Sequence, residues 1–173
     1  MSPVVTQIVA VLLLILLNGL FAMAEIAVIS SRKTRLQQRA DEGDRGARAA
    51  LTLAETPNRF LSTIQIGITL IGILAGAFGG VTISQELAAA LRQIKAIAPY
   101  SDVIALTIVV MGITYLSLVI GELVPKRLAM NNPERIAGAI ASPMRFVSVL
   151  SAPLVHLLSA STEVVLKVLG IRP

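Results

Sequence analysis

The chain of 173 residues contains no cysteine and no tryptophan, and its one histidine is His156. Without cysteine there is no disulfide framework and no thiolate metal or redox chemistry. A lone histidine leaves no His cluster to hold zinc. Charge is scarce as well, at 14% of residues, where a soluble domain carries about 25%. In its place stand 55% hydrophobic residues and a mean hydropathy of +0.80, the composition of an integral membrane protein. The first apolar run has no basic region before it and exceeds a signal-peptide core, so it reads as a retained helix.

What is present falls into three apolar segments, 4–30, 59–80 and 103–124, each near or above the roughly 20 residues that span a bilayer. In the first, Asn18, Ala22 and Glu25 stand at i, i+4 and i+7 and share a helical face. An amide and a carboxylate on one stripe belong against protein, not lipid. In the second, Ser62, Gln65, Thr69, Gly72, Gly76 and Gly80 recur at three- and four-residue steps. Gly72, Gly76 and Gly80 form a repeated small-x-x-x-small pattern, which suits close helix packing. The third ends in Gly121-Glu122-Leu123-Val124-Pro125-Lys126. Pro125 has no N–H, and its ring presses on the carbonyl four residues back, that of Gly121. A freed carbonyl beside a carboxylate offers two hard oxygens, which suit Mg²⁺ or Na⁺. The plainer alternative is a proline kink with Glu122 paired to Lys126 at i+4.

Between the first two segments, Arg32, Lys33, Arg35, Arg39, Arg45 and Arg48 alternate with Asp41, Glu42 and Asp44. The interrupting acids and the adjacent membrane helix argue against nucleic-acid binding. Residues 81–101 hold only Arg92 and Lys95 as basic residues, with a short separate helix expected at 84–97. The positive-inside rule then puts residues 31–57 and everything after Pro125 in the cytoplasm, with the N-terminus outside. Prolines at 133, 143 and 153 are expected to break residues 133–170 into short juxtamembrane helices lying in the interface or forming a shallow hairpin, with a fourth span as the alternative. His156 reads as a hydrogen-bonded packing residue.

Depth tests whether the polar positions of the three segments can meet. At about 1.5 Å per residue, Glu25 lies about 32 Å below Val4 and Glu122 about 29 Å below Val103, while Gln65 is about 9 Å above Arg59. All three reach the cytoplasmic third. The sequence thus allows one cation cavity lined by Glu122, Gly121, Asn18, Glu25, Ser62 and Gln65.

Three stretches together carry a resemblance: Asn18 to Ala27 (NGLFAMAEIA), Arg59 to Thr69 (RFLSTIQIGIT) and Gly121 to Lys126 (GELVPK). In this order they resemble the CNNM/CorC transmembrane domain, in its bacterial hemolysin-like branch. The resemblance covers nearly the whole chain. It implies an all-α homodimeric domain in the bacterial inner membrane, with three spanning helices plus juxtamembrane helices. It also implies Mg²⁺ transport, as export exchanged for Na⁺, and ion ligands at Asn18, Ala22, the 62–72 stripe, Gly121 and Glu122. Family members usually continue into cytosolic CBS domains, which are expected to be absent here. Magnesium-transporting relatives often have Ser at the positions of Asn18 and Ala22, and Asn at that of Gly72. Ala22 and Gly72 offer no side-chain oxygen, so the ion's identity is the open question. The competing function is a membrane anchor and dimerisation module for cytosolic domains. A pore-forming toxin fits poorly with uninterrupted lipid-facing surfaces, and no nucleophile–base pair suggests an enzyme. Topology is directly testable: cysteines at position 43 and at Gln93 should label from opposite sides of the membrane, and labelling from one side would overturn the three-span reading.

Overall fold

The computed structural model describes residues 3–170. Among the described residues all regular structure is helical, and three stretches are long and apolar enough to cross a membrane: Val4–Ser30, Pro57–Leu91 and Ala98–Asn131. The chain divides into two compact units. One joins the described residues up to Met23 with Gly67–Asn131, and the other joins Ala24–Ile66 with the described residues from Asn132 onward.

Helix α1 (Pro3–Ser30) presents Leu13, Leu16 and Leu20 outward and buries Ile15, Phe21, Ala22 and Ala24. This is the one-sided burial expected of a membrane helix packed on one flank. Asn18 and Glu25 are half-buried on it and Ala22 is wholly buried, so the polar stripe does face protein.

Helix α4 (Pro57–Leu91) starts on a proline, whose missing N–H costs nothing at a helix's first turn. The separate helix expected at 84–97 does not exist. α4 runs through Gly79 and Gly80 to Leu91, because no proline intervenes before Pro99, and only a single 3₁₀ turn, Ala98–Tyr100, follows. The Ser84 hydroxyl donates to the Gly80 carbonyl of its own helix, so it raises no demand elsewhere. The side of α4 that the chain itself buries is not the glycine stripe that is plainest in the sequence. Ile71, Ala75 and Gly79 are buried, whereas Thr69, Gly72 and Gly76 are exposed. A Cβ added at Gly72, Gly76 or Gly80 would meet nothing within 4 Å, while one at Gly79 would strike Ile113 and one at Gly67 would strike Phe21. Packing within the chain uses the Gly67–Gly79 row, offset by one residue from the glycine pattern that is plainest in the sequence.

The third spanning stretch comprises α5 (Ser101–Leu118), a π-helical turn (Val119–Leu123) and α6 (Val124–Asn131). The Val124 N–H donates to the Val119 carbonyl, five residues back instead of four. The irregularity expected around Pro125 takes this form. The chain widens by one residue ahead of Pro125, a known way for a helix to insert an irregularity without stopping.

In the second unit, α2 (Lys33–Asp41) and α3 (Arg45–Glu55) are joined by a tight turn in which Gly43 has φ +96°. A side chain there is strained, so the labelling cysteine for topology belongs at exposed Glu42. Asp44 caps α3, its carboxylate accepting from the Ala47 N–H at 3.0 Å and from Arg39 at 2.7 Å. The Ala47 N–H, followed by Arg39, holds this carboxyl below its ordinary value. The stabilisation is therefore fully present at neutral pH and is lost as pH falls through the lowered folded-state value. Helix α7 (Pro133–Leu150) packs on α3, with Ala47, Ala50, Ala137 and Ala141 buried. Pro143 lies inside α7 without ending it, and Pro153 sits in the first turn of α8 (Ala152–Val168). The expected short fragments are thus two full helices, meeting at a bend of 62°. His156 is exposed and makes no hydrogen bond among the described residues, which corrects the packing role expected of it.

The two classes of glycine can be separated by experiment. A Cβ at Gly46 would run into the backbone carbonyl of Gly138, so Gly46→Ala should lower the melting temperature, at a cost of about 1–3 kcal/mol. Gly112→Ala, on α5 and in open space, should leave stability unchanged or raise it by up to about 1 kcal/mol through helix propensity. Equal destabilisation by both in thermal unfolding would contradict this assignment of faces.

Candidate cation site at the Asn18–Gly121 junction

Pro125 cannot donate to the Gly121 carbonyl. Asn18 of α1 does so, its Nδ2 lying 3.1 Å from that oxygen. Glycines on both sides permit the approach. A Cβ at Gly121 would stand 3.2 Å from the Ile15 carbonyl, and one at Gly19 would stand 3.0 Å from Cγ of Pro125. The pairs Asn18-Gly19 and Gly121-Pro125 therefore key α1 against the π-turn. Only the amide NH₂ can face a carbonyl, so the geometry also fixes where the Asn18 oxygen goes. That Oδ1 is buried and has no hydrogen-bond partner.

A buried acceptor without a donor is costly, by about 1–3 kcal/mol, and it suits water or a cation. Next to this carbonyl in the chain stands Glu122, half-exposed, with one carboxylate oxygen 2.8 Å from Nζ of Lys126. The i+4 ion pair is thus real, and it crosses the Pro125 irregularity. Lys126 holds an ammonium at the carboxylate, so any cation arriving at Glu122 competes with a tethered one. Among the described residues no three His, Cys, Asp or Glu side chains gather as a metal-binding group. Ion binding here would draw on amide and carbonyl oxygens, with Glu122 as the charge.

Of the six expected ligands, Asn18, Gly121 and Glu122 belong to the first unit. Glu25, Ser62 and Gln65 belong to the second. There Ser62 and Gln65 are exposed and line an open groove of about 550 Å³ together with Ser159, Thr162 and Glu163 of α8. Two features were not foreseen. One is the direction of the Asn18 amide, which depends on a partner 103 positions away. The other is Gln7, whose Oε1 is also buried without a partner. A lone glutamine in an apolar run was the available signal for it.

The sequence matches the family described as CNNM, the cyclin M transmembrane N-terminal domain, over residues 8–173. The chain belongs to this family. Among curated relatives, a UPF0053 protein of Synechocystis is 51% identical over 170 residues, covering 98% of this chain and 38% of that protein. A protein of Haemophilus influenzae named polyamine export protein is 34% identical over 151 residues, covering 86% of this chain and 34% of its own length. An Escherichia coli protein of the same name is 29% identical over 162 residues, covering 94% and 36%. This CNNM chain therefore spans well under half the length of these relatives. Two of these relatives are thus named for export.

Proposed function

We propose that this CNNM domain carries a hard cation across the bacterial inner membrane, with Mg²⁺ as cargo moved outward in exchange for Na⁺. The observation that supports this reading best is the buried, unpartnered Oδ1 of Asn18 beside the Gly121–Glu122 peptide. Mg²⁺ requires near-octahedral oxygen geometry at about 2.0–2.1 Å and keeps several waters. An amide oxygen and one carboxylate, completed by water, suit such an ion. Glu122 supplies the negative charge, and Lys126 neutralises it when no cargo is bound. The names of two relatives support a second cargo, an organic polycation. It would need the same carboxylate but not a compact oxygen shell. The alternative without transport is a membrane anchor for cytosolic domains.

A homodimer accompanies this proposal, supported by the small and polar side of α4 (Thr69, Gly72 and Gly76) that the chain itself leaves open. Particle mass in detergent and in lipid should correspond to two chains, and a monomer in both media would count against it.

The ion reading is tested by thermal unfolding in Mg²⁺, Na⁺ and a linear polyamine. A cargo at a hundred times its dissociation constant stabilises by about 2.7 kcal/mol, visible as a melting shift. Glu122→Gln and Asn18→Ala should each reduce the Mg²⁺ response sharply. If the parent responds and Glu122→Gln responds equally, Glu122 is only a boundary residue paired to Lys126. A response to the polyamine alone would favour the organic cargo.

A further inference from the structure

Helix α8 is exposed on nearly every side, with Val155 its one buried residue among those described. Leu157, Val164 and Val168, at i, i+7 and i+11, are exposed along one side, with Val168 82% exposed. Ser159 and Thr162 point the opposite way, and Glu163 flanks them, all three lining the groove that faces Ser62 and Gln65 of α4. Ser62, Gln65, Ser159 and Glu163 have no hydrogen-bond or ion-pair partner among the described residues. Thr162 alone is satisfied, by the Leu158 carbonyl of its own helix. These side chains are exposed to the open groove, and their hydrogen-bonding capacity is not used within the chain.

The lining defines the occupant's chemistry. Glu163 is its one charged group, so the ligand is a cation. Gln65, Ser62 and Ser159 accept hydrogen bonds from N–H donors. Ile66, Val155 and Leu158 complete the wall and suit methylene groups. A hydrated divalent ion occupies roughly 180 Å³, as six waters at about 30 Å³ each, and the groove is about 550 Å³. It is larger than such an ion needs and offers apolar surface that the ion cannot use.

We propose that the α4–α8 groove binds a primary alkylammonium group, with Glu163 as counter-ion, Gln65 and Ser62 as hydrogen-bond acceptors, and Ile66, Val155 and Leu158 against the alkyl chain. The source is either a soluble linear amine or the headgroup of an aminophospholipid. The groove lies wholly in the second unit and does not depend on which ion binds at Asn18 and Glu122.

The test uses the full chain in phosphatidylcholine vesicles, melted with putrescine, with butanediol as the uncharged counterpart of the same length, and with Mg²⁺. A second arm replaces phosphatidylcholine by phosphatidylethanolamine without added amine. Putrescine or phosphatidylethanolamine should raise the melting temperature by several degrees, and butanediol should not. Glu163→Gln should abolish that shift while preserving the Mg²⁺ response. Gln65→Ala should weaken the shift, and Glu55→Gln, an exposed carboxylate outside the groove, should retain it. A shift with putrescine assigns the site to soluble amines, and one confined to phosphatidylethanolamine assigns it to lipid. No shift in either arm, or an equal shift in Glu163→Gln, overturns the proposal. So does loss of the Mg²⁺ response in Glu163→Gln, because the groove would then serve the inorganic ion. Loss of that response only in Glu122→Gln or Asn18→Ala concerns the other site.

Discussion

A single backbone carbonyl organises the first unit. Pro125 takes away the donor that Gly121 would normally have four residues on, in a bilayer where no lipid can replace it. The chain answers twice. It widens into the π-turn at Val119–Leu123, and α1 supplies the Asn18 amide at 3.1 Å. Glycine eases the approach of α1, because Cβ atoms at Gly19 and Gly121 would stand only 3.0 Å from the Pro125 ring and 3.2 Å from the Ile15 carbonyl. Donating through NH₂ then leaves the Asn18 oxygen buried and unpaired. The packing solution and the candidate ion ligand are two ends of one side chain.

Charge is placed as sparingly within the membrane segments as it is in the composition. Glu122 is compensated by Lys126 one turn on, which lowers the cost of a carboxylate at depth. Any cation approaching Glu122 would have to compete with that ammonium. Outside the spans the arrangement is more conventional. Arg39 and the Ala47 N–H share Asp44 at a helix start, and Glu134 lies 4.0 Å from Arg35. These contacts fix the juxtamembrane helices locally.

The two units treat polar side chains differently. At the Asn18 junction they are keyed to backbone and largely enclosed. Along α8 they face an open groove while aliphatic residues turn outward. This CNNM domain thus carries two chemically distinct polar environments, one compact and oxygen-lined, the other open and partly apolar.

Sequence by itself determined the membrane class, the three long apolar helices and the family, because hydropathy over 20 residues and three motifs in order need no tertiary information. It also marked Asn18, Gly121, Glu122 and Pro125 as unusual, since each breaks a rule of its own segment. It did not determine which side of α4 is buried. Gly72, Gly76 and Gly80 form the plainest small-residue pattern, yet the Gly67–Gly79 row carries the packing, and a rotation of one residue, about 100°, separates the two readings. Nor could it foresee the π-turn or the continuity of α7 through Pro143, because local propensity names a breaker without saying how neighbours accommodate it. The direction of the Asn18 amide and the inward polar side of α8 were decided only by tertiary structure. Each depends on a partner far away in the chain, and helical periodicity sorts residues into faces without saying what those faces meet.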